Sequence, residues 1–287
     1  MPGADPLALY FACKAWQKTI ARHNEIAETA QDWEVRPIKA PPDAYLVTTV
    51  ALVEWALASG CWDRLLKLGA TIAEVGNLDV LKLYRERGGE WGADRRERFR
   101  VEASFGVCTG AAAGGHLAVL QWAHHNGCLW GEMTCERAAK GGHLVVLQWA
   151  RQNGCPWDQS TCSGAADGGH LAVLQWARQN GCPWDEETCT GAALGGHLAV
   201  LQWARQNGCS WNEGTCAWAA GGGHLAVLQW AHQKGCPWDE GTCSEAAEGG
   251  HLVVLQWARQ NGCPWDKDNC ARYGKTEEMR AWIESQQ

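Results

Sequence analysis

No stretch of this 287-residue chain approaches the roughly 20 consecutive apolar residues that a membrane-spanning helix needs, so no membrane contact is expected. Positive charge is in deficit: 25 Lys and Arg stand against 32 Asp and Glu, for a formal charge of −7. That balance argues against a surface that tracks nucleic-acid phosphates. Arg85, Arg87, Arg95, Arg96, Arg98 and Arg100 form a local basic stretch, but Glu86, Glu90, Asp94 and Glu97 interrupt it, as on a solvated helix face or linker. Cys-x-x-Cys, the close ligand pair that opens most zinc sites, is absent. Glycine-rich phrases such as Gly221-Gly222-Gly223-His224 lack the Lys-Ser/Thr of a phosphate loop and read as helix ends. Met1 to Cys13 hold a short apolar patch without a basic leader or small-residue cleavage site, so a cytoplasmic location is expected.

Tryptophan and cysteine are in excess, at 19 and 15 residues, and repetition explains both. His116, His143, His170, His197, His224 and His251 recur every 27 residues, each opening a phrase such as His170-Leu171-Ala172-Val173-Leu174-Gln175-Trp176-Ala177. Cysteines keep the same step from Cys108 to Cys270 and from Cys128 to Cys263. Fainter copies lie upstream, at Ala51-Leu52-Val53-Glu54-Trp55-Ala56 and at Gly76-Asn77-Leu78-Asp79-Val80-Leu81. The chain accordingly divides into an N-terminal cap or separate segment (1–43), degenerate repeats with an Arg-rich insertion (44–104), six near-identical repeats (105–269) and a C-terminal capping helix (270–287).

Within one copy, Leu171 to Asn180 carries a polar stripe of Gln175, Arg178 and Gln179, with apolar residues around most of the remaining circumference. Gly181 occupies the left-handed position that ends a helix, and Pro183 prevents its continuation. Asp185 is placed to cap a second helix, with Glu186 and Glu187 favourably in its first turn and Gly195-Gly196 at its end. Ala192-Ala193 lets neighbouring helices approach closely. No strand period appears, so the expected fold is an all-α solenoid of helix-turn-helix units with little or no β structure. One unit buries too little to offset its own ordering, so the copies must stack.

These residues resemble the ankyrin repeat. Ala165-Ala166-Asp167-Gly168-Gly169-His170 and Gly181-Cys182-Pro183-Trp184-Asp185 fall into its register without gaps, over about Ala44 to Gln287. The resemblance places Cys162, Trp176 and Trp184 on buried aliphatic positions, which implies that all three are core substitutions. It also implies that the six residues missing from a 33-residue repeat come from the β-hairpin finger, leaving the helix faces to make partner contacts. Ser160-Thr161-Cys162-Ser163 replaces the family's Thr-Pro-Leu-His.

Cys162, His170, Cys182 and Cys189 invite a zinc reading, but their wide spacing favours buried structural thiols and a histidine that orients the turn. A Cys-His nucleophile would recur in six near-identical copies, whereas catalysis needs one asymmetric pocket, so neither enzyme activity nor a cofactor is expected. Disulfides would require export. Variation among copies is confined to the Cys-containing helix, which the resemblance places along a concave groove. Its variable positions define a candidate partner-binding strip of Arg137, Lys140, Asp167, Leu194, Trp218, Glu245 and Glu248, with Trp218 as the aromatic anchor. The expected function is a non-catalytic, monomeric scaffold that binds a protein or peptide. The alternative is a substrate-selecting adaptor, for example of a ubiquitin ligase, docking through the N-terminal segment.

Overall fold

A computed structural model describes residues 69–92 and 106–286. Residues 1–43, the copy at Ala51 to Asp63, and Arg95, Arg96, Arg98 and Arg100 of the basic stretch lie outside the described residues. The described chain forms sixteen helices and no strand, the all-α solenoid that the 27-residue period predicts.

The helices alternate. First helices are α1 (Gly69–Val75), α3 (Val107–Ala113), α5 (Glu132–Lys140), α7 (Gln159–Asp167), α9 (Glu186–Leu194), α11 (Glu213–Gly221), α13 (Glu240–Gly249) and α15 (Lys267–Tyr273). Second helices are α2 (Leu78–Glu86), α4 (Leu117–His125), α6 (Leu144–Gln152), α8 (Leu171–Gln179), α10 (Leu198–Gln206), α12 (Leu225–Gln233), α14 (Leu252–Gln260) and α16 (Glu277–Ser285).

Both helices of a unit close with the same device. At the end of α8, Gly181 takes φ +82°, its N–H reaches the Arg178 carbonyl at 3.1 Å, and the Cys182 N–H reaches the Ala177 carbonyl at 3.0 Å. At the end of α9, Gly195 is still right-handed and Gly196 is the left-handed residue, so the second glycine of the pair makes the turn. Asp185 caps α9 through the Glu187 N–H at 3.1 Å, as its position predicts.

Each first helix packs closely against the next along the whole series, while the second helices of successive units stand further apart. Side-chain size explains the difference. The first-helix layer is filled by fully buried Cys and Ala, such as Cys189, Ala192 and Ala193, and the second-helix layer must accommodate tryptophan. The first helices thus form one closely packed layer and the tryptophan-bearing second helices the other.

The tryptophans correct one expectation: Trp176 and Trp184 are half-buried rather than in the core, although Cys162 is fully buried as predicted. They form a ladder between units. Trp184 meets Trp203 of the following unit edge-to-face, with ring centroids 5.9 Å apart, and Trp157 meets Trp176 at 5.8 Å. The Arg178 guanidinium lies 4.1 Å from the Trp184 ring centroid and donates a hydrogen bond to the Cys182 carbonyl, so this member of the supposed polar stripe is a packing residue. Where arginine is replaced by histidine, the ring takes its place, as His232 does on Trp238 at 3.8 Å. The Trp91–Trp122 pair, 5.7 Å apart, brings the degenerate copy into the same ladder. At the other end, α16 turns Met279 and Ile283 onto the stack and leaves charged side chains outward.

Candidate functional site

The site begins with the glycine-glycine-histidine phrase. His197 occupies the N-cap position of α10 but does not cap that helix. Its Nε2 lies 3.0 Å from the carbonyl of Asp167, the last residue of α7 in the unit before, and a carbonyl only accepts, so Nε2 carries the proton. His143 and His224 make the same bond to Ala113 and Leu194, at 2.9 Å each. The ring needs space on both sides, and two glycines provide it. A methyl group on Gly169 would fall 2.5 Å from the His197 Nδ1, and one on Gly195 would fall 2.5 Å from its Cδ2. The histidine thus orients more than its own turn, since it fixes the C-terminus of each first helix relative to the next unit.

Buried thiols make a second set of links. Cys182, Cys209 and Cys263 donate to the carbonyls of Asp158, Asp185 and Asp239 at 3.4, 3.2 and 3.3 Å, so each turn cysteine contacts the N-cap residue of the preceding unit. The hydrogen bond between Cys162 and Cys182, together with burial, raises the Cys162 thiol far above its ordinary range; Cys189 is raised in the same way against Cys209. Cys162 and Cys189 are therefore protonated structural thiols, while the same hydrogen bond, seen from its other end, lowers Cys209. The thirteen cysteines in the described residues are all buried, and no cluster of three or more His, Cys, Asp or Glu converges on a metal position there. The Cys162, His170, Cys182 and Cys189 set does not come together as ligands.

With these links holding consecutive first helices in register, their exposed positions form one strip. Of the three variable positions, the one directly after the Cys is buried where it is Thr109 or Thr190, with the Thr109 hydroxyl 3.3 Å from that of Thr134, and half-buried where it is Glu136, Ser163, Ala217 or Ser244. The exposed side chains of the strip, Lys140, Leu194, Trp218 and Glu248, come from the other two. Lys140, Asp167, Leu194 and Trp218 line one cleft of about 230 Å³, together with Glu136, Ser163, Gly164, Glu187, Thr190 and Gly191. Leu194 and Trp218, 40% and 44% exposed, supply its large apolar surface. Trp211 is engaged by Trp230 and Arg205, on the ladder.

Gly164 and Gly191, which also line the cleft, occupy the helix position that carries Trp218 on α11. A methyl group on Gly164 would fall 3.0 Å from the Glu136 carbonyl oxygen and one on Gly191 2.9 Å from that of Ser163, so glycine at this position lets successive first helices approach closely. The surrounding charges are partly self-satisfied, because the Lys140 ammonium forms an ion pair with the Asp167 carboxylate of the next unit. The basic-to-acidic sequence along the strip is thus an internal pair at that point.

The remaining strip residues lie beside the cleft. Glu245 and Glu248 stand on α13, one turn apart, with Glu245 half-buried and Glu248 exposed. Burial, and then the Glu248 charge, raise the Glu245 carboxyl above its ordinary range. Arg137 is half-buried on α5 and does not line the cleft. A second groove, lined by Gln202, Arg205, Gln206, Trp211, Trp230 and Lys234, lies on the second-helix side, where Arg205 and both tryptophans already serve the ladder.

No family model matches the chain, and no curated protein matches it. Among solved structures, the chain is similar to the human ASB11 ankyrin repeat domain, at 15% sequence identity and a TM-score of 0.46, over 63% of this chain and 98% of that one.

Proposed function

We propose that this protein is a non-catalytic interaction scaffold that holds a protein or peptide segment against the concave face of its first helices. One observation carries the reading: the four strip residues Lys140, Asp167, Leu194 and Trp218, chosen for their variability, converge on a single cleft whose wall is exposed Leu194 and Trp218. An exposed tryptophan beside a cleft is the combination that anchors interfaces, because the indole contributes a large apolar area with little side-chain entropy to lose. At about 230 Å³ the cleft is below the roughly 300–1,000 Å³ of small-molecule sites and suits one inserted side chain rather than a cofactor.

In this reading the repeats over 105–269 are the binding unit and 270–287 seals their end. No described helix is long and apolar enough to cross a membrane. The adaptor alternative depends on residues 1–43, outside the described residues, and no structural observation favours it.

Site-specific photo-cross-linking in cells tests the proposal. A photoreactive amino acid at Leu194 should form partner adducts, while one at exposed Gln206 on α10 should not. Adducts from Gln206 alone would move the interface to the other side of the stack.

A further inference from the structure

Around the cleft carboxylates outnumber cations. The inference drawn from this rests on the reading of that face as the docking surface. Lys140 is the only cation in the cleft lining, which also contains the carboxylates of Glu136, Asp167 and Glu187. Its charge is already matched by Asp167, which leaves it a poor receptor for an acidic ligand.

Beyond the indole the same sign continues. A methyl group on Gly221 would lie 3.0 Å from Glu245 Oε2, so this carboxylate of α13 leans across onto α11. Gly221 is three residues beyond Trp218 and shares its helix face, so the carboxylate lies against the same face of α11, one turn from the position that carries the indole. Glu248 stands a turn further along α13, and neither glutamate has an ion-pair partner among the described residues. The charge felt by Glu245 is the repulsive one of Glu248, which a cation from outside would relieve.

We infer that the segment held on this face carries a large apolar side chain that enters the cleft against Leu194 and Trp218, with a Lys or Arg beside it that meets Glu245 and Glu248. Apolar contact supplies the anchor and the carboxylate pair selects the sign of the flank. An acidic flank would add a third negative charge beside two that already repel, so the surface discriminates by repulsion as well as attraction.

Selection of a random-peptide phage library on the full-length protein tests this. Enriched peptides should share a large apolar residue followed or preceded by Lys or Arg. Against a labelled peptide so selected, Trp218→Ala should weaken binding by tenfold or more. Glu245→Gln with Glu248→Gln should weaken it by about fivefold and flatten its salt dependence. Enriched peptides that depend on Trp218 but carry neutral or acidic flanks overturn the inference about charge and leave the docking surface standing. No enrichment, or peptides indifferent to Trp218→Ala, overturns both.

Discussion

Replacing Gly169 by Ala isolates the histidine link. The perturbation has two parts. Gly169 has φ +77°, a region that costs an L-residue about 1–2 kcal/mol, and the new methyl would fall 2.5 Å from His197 Nδ1. The ring must move, losing its 3.0 Å bond to the Asp167 carbonyl and some of its packing, for about 1–3 kcal/mol more. Gly181 provides the control, since it has φ +82° with nothing within 4 Å of an added methyl group, so Gly181→Ala should cost only the backbone part, about 1–2 kcal/mol. Urea denaturation followed by far-ultraviolet circular dichroism measures both. A double-mutant cycle then identifies the cause: in a His197→Ala background, Gly169→Ala should fall to the cost of Gly181→Ala, because there is no ring left to strike. An unchanged cost of Gly169→Ala in the two backgrounds would refute the steric account, and equal costs at Gly169 and Gly181 would refute the link itself.

The other predictions concern the ladder, the thiols and the acidic end of the strip. Arg178→Lys should lower stability by about 0.5–1 kcal/mol in the same denaturation assay, because an ammonium keeps the charge but loses the planar contact with Trp184. In native protein a thiol-labelling reagent should leave Cys162, Cys182, Cys189 and Cys209 unmodified by mass spectrometry, and denaturant should expose them all, since only ionised, accessible thiols react readily. Glu245→Gln should raise the melting temperature slightly at neutral pH. The folded-state carboxyl is raised, so stability falls as pH increases from the ordinary carboxylate value through the raised one, and the neutral amide avoids that loss. Below the ordinary carboxylate range the two proteins should melt together.

Helix boundaries were legible because their signals are local. Gly181, Pro183 and Asp185 act within a turn of their own positions, and the 27-residue period showed how often they recur. The candidate strip has a different origin: comparison among copies separates invariant from variable positions and gave Arg137, Lys140, Asp167, Leu194, Trp218, Glu245 and Glu248, of which Lys140, Asp167, Leu194 and Trp218 share one cleft. Burial could not be read at the same resolution. The sequence pattern treated the three variable positions alike, yet Thr190 is 7% exposed and Leu194 40%, because the packing of adjacent first helices decides which side of a helix meets its neighbour.

By itself, the sequence determined the all-α repeat, its turns, its helix caps and the exclusion of long apolar spans, all properties of residues a few positions apart. Only the tertiary structure decided what contacts what across units. It moved tryptophan out of the core, where Cys and Ala leave no room, and spent Arg178 on an indole rather than on water. It turned a histidine expected to orient its own turn into a bond to a carbonyl 30 residues earlier, and it paired Lys140 with Asp167. It set Gly164 and Gly191 against the backbone of the preceding first helix, where an added methyl group would crowd a carbonyl oxygen. Each of these depends on the distance and angle between neighbouring units, which are set by the packing of both layers at once and have no counterpart within a single 27-residue copy.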